Sequence, residues 1–131
     1  MVIDTSALVA ILQREPDAAR FDEALGTASV RLMSAVTRVE LSFVMEGRKR
    51  AAGRADIERL LSAVRIQLAA VTPQHAEIAI EAFRRYGRGR HRASLNIGDC
   101  FSYALAKATG LPLLFKGNDF NHTDIMSALV A

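Results

Sequence analysis

Four short apolar runs punctuate this chain, Val2–Ile3, Val30–Ser34, Ile66–Val71 and Leu113–Phe115, and the stretches between them carry helical periodicity. Short apolar runs suit strands buried on both faces, and strands alternating with helices imply a mostly parallel sheet covered by helices. An α/β fold is the expectation. After the first run, Asp4-Thr5-Ser6 offers capping oxygens before Ala7–Leu12, which makes strand, turn, helix. Pro16 fits the first turn of a second helix running to Gly26. From Ala35 to Arg50 the residues Val36, Val39, Phe43 and Val44 recur at helical spacing, and a second such pattern follows Gly53 through Ile57, Leu60, Leu61 and Val64. These two are expected to form a hairpin. Thr72-Pro73 closes the third strand and opens a helix that ends at Gly87 and Gly89, and the stretch from Gly87 to Asn96 reads as an exposed loop. A helix over Asp99–Ala108 is terminated by Gly110, and a polar loop from Lys116 to Asp124 follows the last strand. With no repeat and no linker, residues 1–131 are expected to form one domain.

Several function classes fall away early. The longest clean apolar run, Ala7–Leu12, has six residues, against roughly 18 for a membrane span, so a soluble chain with no membrane partner is expected. No basic region precedes Arg14, which leaves the start without the pattern of a secretory signal. The single cysteine, Cys100, has no internal disulfide partner and suits a reducing, cytoplasmic setting. It reads as a packed small residue. No P-loop, GxSxG or GxGxxG occurs, and His75, His91 and His122 lie apart without zinc spacing.

The charge balance is mildly basic, with 17 Lys and Arg against 14 Asp and Glu, and 14 of the cations are arginine. Five of them fall within nine residues: Arg84, Arg85, Arg88, Arg90 and Arg92. A second group is Arg48, Lys49, Arg50 and Arg54. The guanidinium fork matches phosphate oxygens in two-point contacts, and the alternative is a solvated face paired with acids. Without Trp, and with two Tyr and six Phe, the chain lacks the makings of a base-stacking platform. A nucleic-acid partner would be held by its backbone.

Four carboxylates lie where the surroundings are apolar or confined. Asp4 stands at the carboxyl end of the first strand, the edge of a parallel sheet where ligands bind, and is equally placed to be a helix N-cap. Glu40 shares a helical face with Val36, Phe43 and Val44, so it needs a partner: Arg38 or Arg84, a metal ion, or a reacting proton. Asp99 follows Gly98 at a helix start, and Asp119 lies in Gly117-Asn118-Asp119-Phe120, where an Asx turn is the local alternative. In a doubly wound sheet such positions gather at one edge, and carboxylates gathered there repel unless a cation is present. Oxygen donors without clustered His or Cys favour Mg²⁺ or Mn²⁺ over zinc.

The segments MVIDTSALVAIL, SAVTRVELS, LNIGDCFSYALAKATGLPLL and LLFKGNDFNHTDI, in this order and spacing over essentially the whole chain, resemble the PIN-domain family and within it the VapC-type toxins of type II toxin–antitoxin pairs. The resemblance implies a PIN-like α/β/α sandwich with a mostly parallel central sheet. It implies a divalent-metal-dependent endoribonuclease that inhibits translation by cutting RNA, with Asp4, Glu40, Asp99 and Asp119 as its acidic site. Asp4 and Asp99 would be the principal metal ligands, Glu40 and Asp119 completing the shell directly or through water, and Ser6 supporting them. A cognate VapB-type antitoxin and a homodimer, formed through the apolar helices between Ala35 and Val64, are also implied. Many PIN domains carry Asp-x-Asp-Phe in the last loop; here the first of those positions is Gly117, and Gly-Asn-Asp-Phe is itself familiar among VapC-type sequences. A DNA nuclease of related fold and a non-catalytic interaction module are the competing functions, and retained carboxylates weigh against the module.

Overall fold

The apolar runs become four parallel strands ordered β3-β2-β1-β4, where β1 is Val2–Ile3, β2 Leu32–Ser34, β3 Gln67–Ala69 and β4 Leu113–Leu114. The computed structural model describes residues 1–129. Between the strands lie α1 (Thr5–Leu12), α2 (Ala18–Thr27), α3 (Ala35–Ala63), α4 (Pro73–Tyr86) and α5 (Ile97–Thr109), and a 3-10 turn, Asp119–His122, follows β4. None of these helices is long and apolar enough to cross a membrane.

Alternation along the strands produces the three layers. Val2, Leu32 and Leu113 face one core, packed against Ala79, Ala82 and Tyr86 of α4 and Cys100, Tyr103 and Ala104 of α5. Their neighbours Ile3, Met33 and Leu114 face the opposite core with Leu8, Phe21, Leu41, Met45 and Ile57 from α1, α2 and α3. Successive strand side chains point to opposite faces, so β1, β2 and β4 are anchored on both, whereas the edge strand β3 packs only Ala69 and leaves Leu68 exposed. The expected sandwich is therefore what forms.

Two details of α3 depart from the sequence pattern. Its buried side is Thr37, Leu41 and Met45, whereas Val39 and Phe43, expected on the core stripe, are exposed, Phe43 by 76%. The expected hairpin exists as a sharp kink at Arg50, whose φ of 55° and ψ of −134° break the helical path. Beyond it Arg54 reaches back to Glu46 at 3.3 Å, and a Cβ on Gly53 would strike the Met45 carbonyl, so only glycine permits so close a return. Helix boundaries also shift: α2 starts at Ala18 rather than Pro16, and α5 starts at Ile97, two residues before Asp99.

Because the strands are parallel and adjacent, their carboxyl ends lie along one edge. The chain leaves β1 toward β2 on one side, and β4 flanks β1 on the other, which puts Asp4 at the switch point where such sheets bind ligands.

Candidate active site

Asp4 is at once a helix cap and a buried acid. It is the N-cap of α1 and only 3% exposed. Its Oδ2 accepts from the Ser6 N–H at 3.1 Å and the Ser6 hydroxyl at 2.6 Å, while Oδ1 accepts from the Ser102 hydroxyl at 2.6 Å. The Ser6 oxygen in turn accepts the Lys116 N–H at 3.0 Å, tying the loop after β4 to the same carboxylate. Ser102 meets the Thr37 hydroxyl at 3.2 Å, with both residues fully buried.

Asp99 occupies the third position of α5. Asn96 is the N-cap, its side chain accepting the Asp99 N–H at 2.9 Å while Asp99 Oδ2 accepts the Asn96 N–H at 3.0 Å, a reciprocal capping box. Burial above all, then the charge of Asp4, push the Asp99 carboxyl up to about 7; the Asn96 N–H opposes this, and Glu40 and Asp119 add to it. Asp99 thus feels all three of the other acids.

Glu40 projects from α3 toward the same edge. Neither Arg38 nor Arg84 pairs with it: Arg38 bonds Ser42, and Arg84 bonds Glu81 at 3.5 Å. Its Oε1 accepts the Thr5 hydroxyl at 2.5 Å. Burial raises its carboxyl, the Thr5 bond lowers it, and Asp4 raises it again, leaving the net shift upward. A Cβ on Gly98 would overlap the Glu40 carboxylate, so the bare first turn of α5 is what makes room for it. Asp119 opens the 3-10 turn on the exposed side of the cluster. Gly117, two residues earlier, has φ +94°, a conformation that strains any residue with a Cβ, which accounts for glycine there in place of an acid.

The donors are all oxygens, and among the described residues no cationic side chain forms an ion pair with them. Lys116, the nearest in the loop, is engaged by Glu15 at 2.5 Å and Asp17 at 3.0 Å. This set fits a hard divalent cation. Among the described residues no group of three or more Asp, Glu, His or Cys side chains is arranged to hold a metal ion. An open cluster is consistent with Mg²⁺, which takes one or two carboxylates and retains waters. Cys100, one residue beyond Asp99, is buried and its thiol is pushed up to about 11, chiefly by burial, so it packs rather than reacts.

Arg84, Arg85, Arg88, Arg90 and Arg92 are all exposed, at the end of α4 and on the loop leading to Asn96. They lie outside the acid cluster. That loop is pinned by the Arg88 N–H on the Leu95 carbonyl at 3.0 Å and by His91, whose Nδ1 accepts the Ala93 N–H and whose ring meets Tyr86 edge-on. Residues not singled out from sequence are Thr5 and Gly98 beside Glu40, and Ser102 and Thr37 beneath Asp4. Gly98 and Ser102 flank Asp99 closely, and that adjacency was the available signal.

A family model described as PIN domain matches residues 1–126. The chain is 53% identical over 125 residues to Ribonuclease VapC30 of Mycobacterium tuberculosis, covering 95% of both proteins. Among solved structures it is similar to Mycobacterium tuberculosis VapC20, described as a sarcin–ricin loop cleaving toxin, with TM-score 0.76 at 19% identity over 95% of each chain. A chain of a toxin–antitoxin complex from Klebsiella pneumoniae superposes with TM-score 0.71 at 20% identity, covering 99% of this chain and 95% of that one. At those identities the two structures speak for the fold.

Proposed function

The chain belongs to the PIN-domain family, and from that footing we propose that it is a VapC-type toxin ribonuclease, with residues 1–131 acting as one domain and Asp4, Glu40, Asp99 and Asp119 forming its site. What supports the site assignment is contact: Thr5, next to Asp4, bonds Glu40, and Gly98, next to Asp99, lies against the Glu40 carboxylate, while the charges of Asp4, Glu40 and Asp119 all push the Asp99 carboxyl up. Asp4 and Asp99 would hold Mg²⁺ or Mn²⁺, with Glu40 and Asp119 joining directly or through water. The ion, when bound, supplies Lewis acidity toward a phosphoryl oxygen and acidifies a bound water.

This chain's own residues do the rest. Ser6 and Ser102 fix the plane of the Asp4 carboxylate from both sides. Thr5 holds Glu40 Oε1, which leaves Oε2 to hold or accept a proton from the attacking water. The five exposed arginines at 84–92 neutralise RNA phosphates on approach, and a cleft of about 620 Å³ beside Ser6, with Arg48 on its wall, offers a path for the backbone. The buried packing of Cys100 leaves no structural disulfide and fits a cytoplasmic enzyme.

An antitoxin and a second copy of the chain are the proposed protein partners. Among the exposed apolar side chains are Val39 and Phe43 on α3 and Ile80, Phe83 and Ile97 around the α4–α5 cleft, and these are the surfaces proposed to receive them. The antitoxin reading draws on the Klebsiella complex, whose chain shares the fold.

The test is cleavage by purified protein freed of any partner, run in parallel on RNA and on single-stranded and branched DNA with Mg²⁺ or Mn²⁺. RNA cleavage is expected. Cleavage of DNA alone would favour the related DNA nuclease, and no cleavage together with no divalent binding by calorimetry would favour an interaction module.

A further inference from the structure

We propose that Thr37 and Ser102 form a hydroxyl relay that positions the Asp4 carboxylate for the divalent ion, an inference that rests on the metal-dependent reading of the site. Ser102 lies one turn after Asp99 on α5, and Thr37 lies one turn before Glu40 on α3. Each helix that delivers an acid therefore also delivers a buried hydroxyl beneath it. The two hydroxyls meet at 3.2 Å, and the chain ends on Asp4 Oδ1 at 2.6 Å, linking β1, α3 and α5 at their active ends.

The direction of the relay follows from proton count. Ser102 has a single hydroxyl proton and gives it to Asp4 Oδ1, so at the other contact Thr37 must donate to Ser102. Hydrogen bonds in series strengthen one another, and the last one here is charge-assisted. Oδ2 already takes two donors from Ser6 whereas Oδ1 takes one, so Oδ1 keeps acceptor capacity for an ion. Both residues are fully buried, where a hydroxyl without a partner is costly.

Partner-free, metal-free protein is titrated with Mn²⁺ by calorimetry, alongside thermal melts. Ser102→Ala should weaken Mn²⁺ binding about 10- to 100-fold, the usual cost of losing a group that orients a ligand. Thr37→Val should weaken it about 2- to 10-fold, and Thr37→Ser, which keeps the donor and loses the methyl, should restore wild-type affinity even if it melts earlier. If Ser102→Ala does not fold, the Thr37 pair decides by itself. Wild-type affinity in Ser102→Ala and Thr37→Val, or equal weakening in Thr37→Val and Thr37→Ser, overturns the relay. Asp4→Asn is the control for the site itself: Mn²⁺ binding as tight as wild type there removes the metal reading and the relay with it.

Discussion

Asp4 and Asp99 stand at the starts of two helices on the same sheet edge, yet the fold treats them differently. Asp4 receives three donors, two of them hydroxyls, on both carboxylate oxygens. Asp99 receives one backbone N–H and is otherwise left with burial and the charges of its neighbours, which lift it to about 7. One acid is held in place by hydrogen bonds; the other is pushed up by burial first and by like charge second. A site of this kind has a fixed anchor and a second ligand whose ionisation depends on what else is present.

The sharpest way to break that contrast is to neutralise the anchor. Asp4→Asn should reduce RNA cleavage to background, and in the metal-free protein the Asp99 carboxyl, followed by carbon NMR, should titrate below its value of about 7, because Asp4 is the largest charge acting on it. An unmoved Asp99 midpoint would mean that the two acids are not coupled.

The next largest effect concerns the space between α3 and α5. Gly98→Ala should push the Glu40 carboxylate aside and cut kcat about 10²-fold, the scale of a misplacement near 1 Å. The same substitution at Gly47, exposed within α3 with nothing near its added Cβ, should leave cleavage alone and stabilise the helix by about 0.5–1 kcal/mol. Equal kinetics for the two alanine variants would remove the close approach from the account.

A smaller effect tests the raised carboxyl of Asp99 through stability. Its folded-state value lies above the ordinary one near 4, so the folded protein binds this proton more tightly than the unfolded chain. The favourable contribution is complete below about pH 4 and is lost as pH rises toward about 7. Metal-free Asp99→Asn should therefore melt several degrees above wild type at pH 8, with the gain shrinking toward pH 4, and added Mn²⁺ should narrow the gap at pH 8 by binding the wild type alone. A gain that does not vary with pH would assign the effect to something other than the charge.

The alternation of strands and helices was legible because the apolar runs are short and are set off by residues such as Asp4, Arg31, Thr72-Pro73 and Lys116, and the doubly covered sheet follows from that. Asp4 and Asp99 were legible for a related reason, as acids at the points where strands stop or helices start. The face of α3 was not. Its apolar residues lie on two sides, and only the tertiary environment selects Thr37, Leu41 and Met45 for burial over Val39 and Phe43. Ser102 and Thr37 were hidden differently: Ser102 stands close to Asp99 in the chain, but the partners of the two hydroxyls are 98 and 65 residues away, so their roles appear only in the fold. The break near Arg50 was legible from the two helical patterns that meet there, although arginine gives no hint of the positive φ that makes it.

The most direct test of the site is RNA cleavage by partner-free protein stripped of divalent ions, followed as Mg²⁺ is restored, in wild type and Asp99→Asn. The wild type should be silent in chelator and recover with Mg²⁺, while the variant, folded by circular dichroism, stays silent throughout. Equal cleavage by the wild type in chelator and in Mg²⁺, or full activity in the variant, would contradict a metal-dependent carboxylate site.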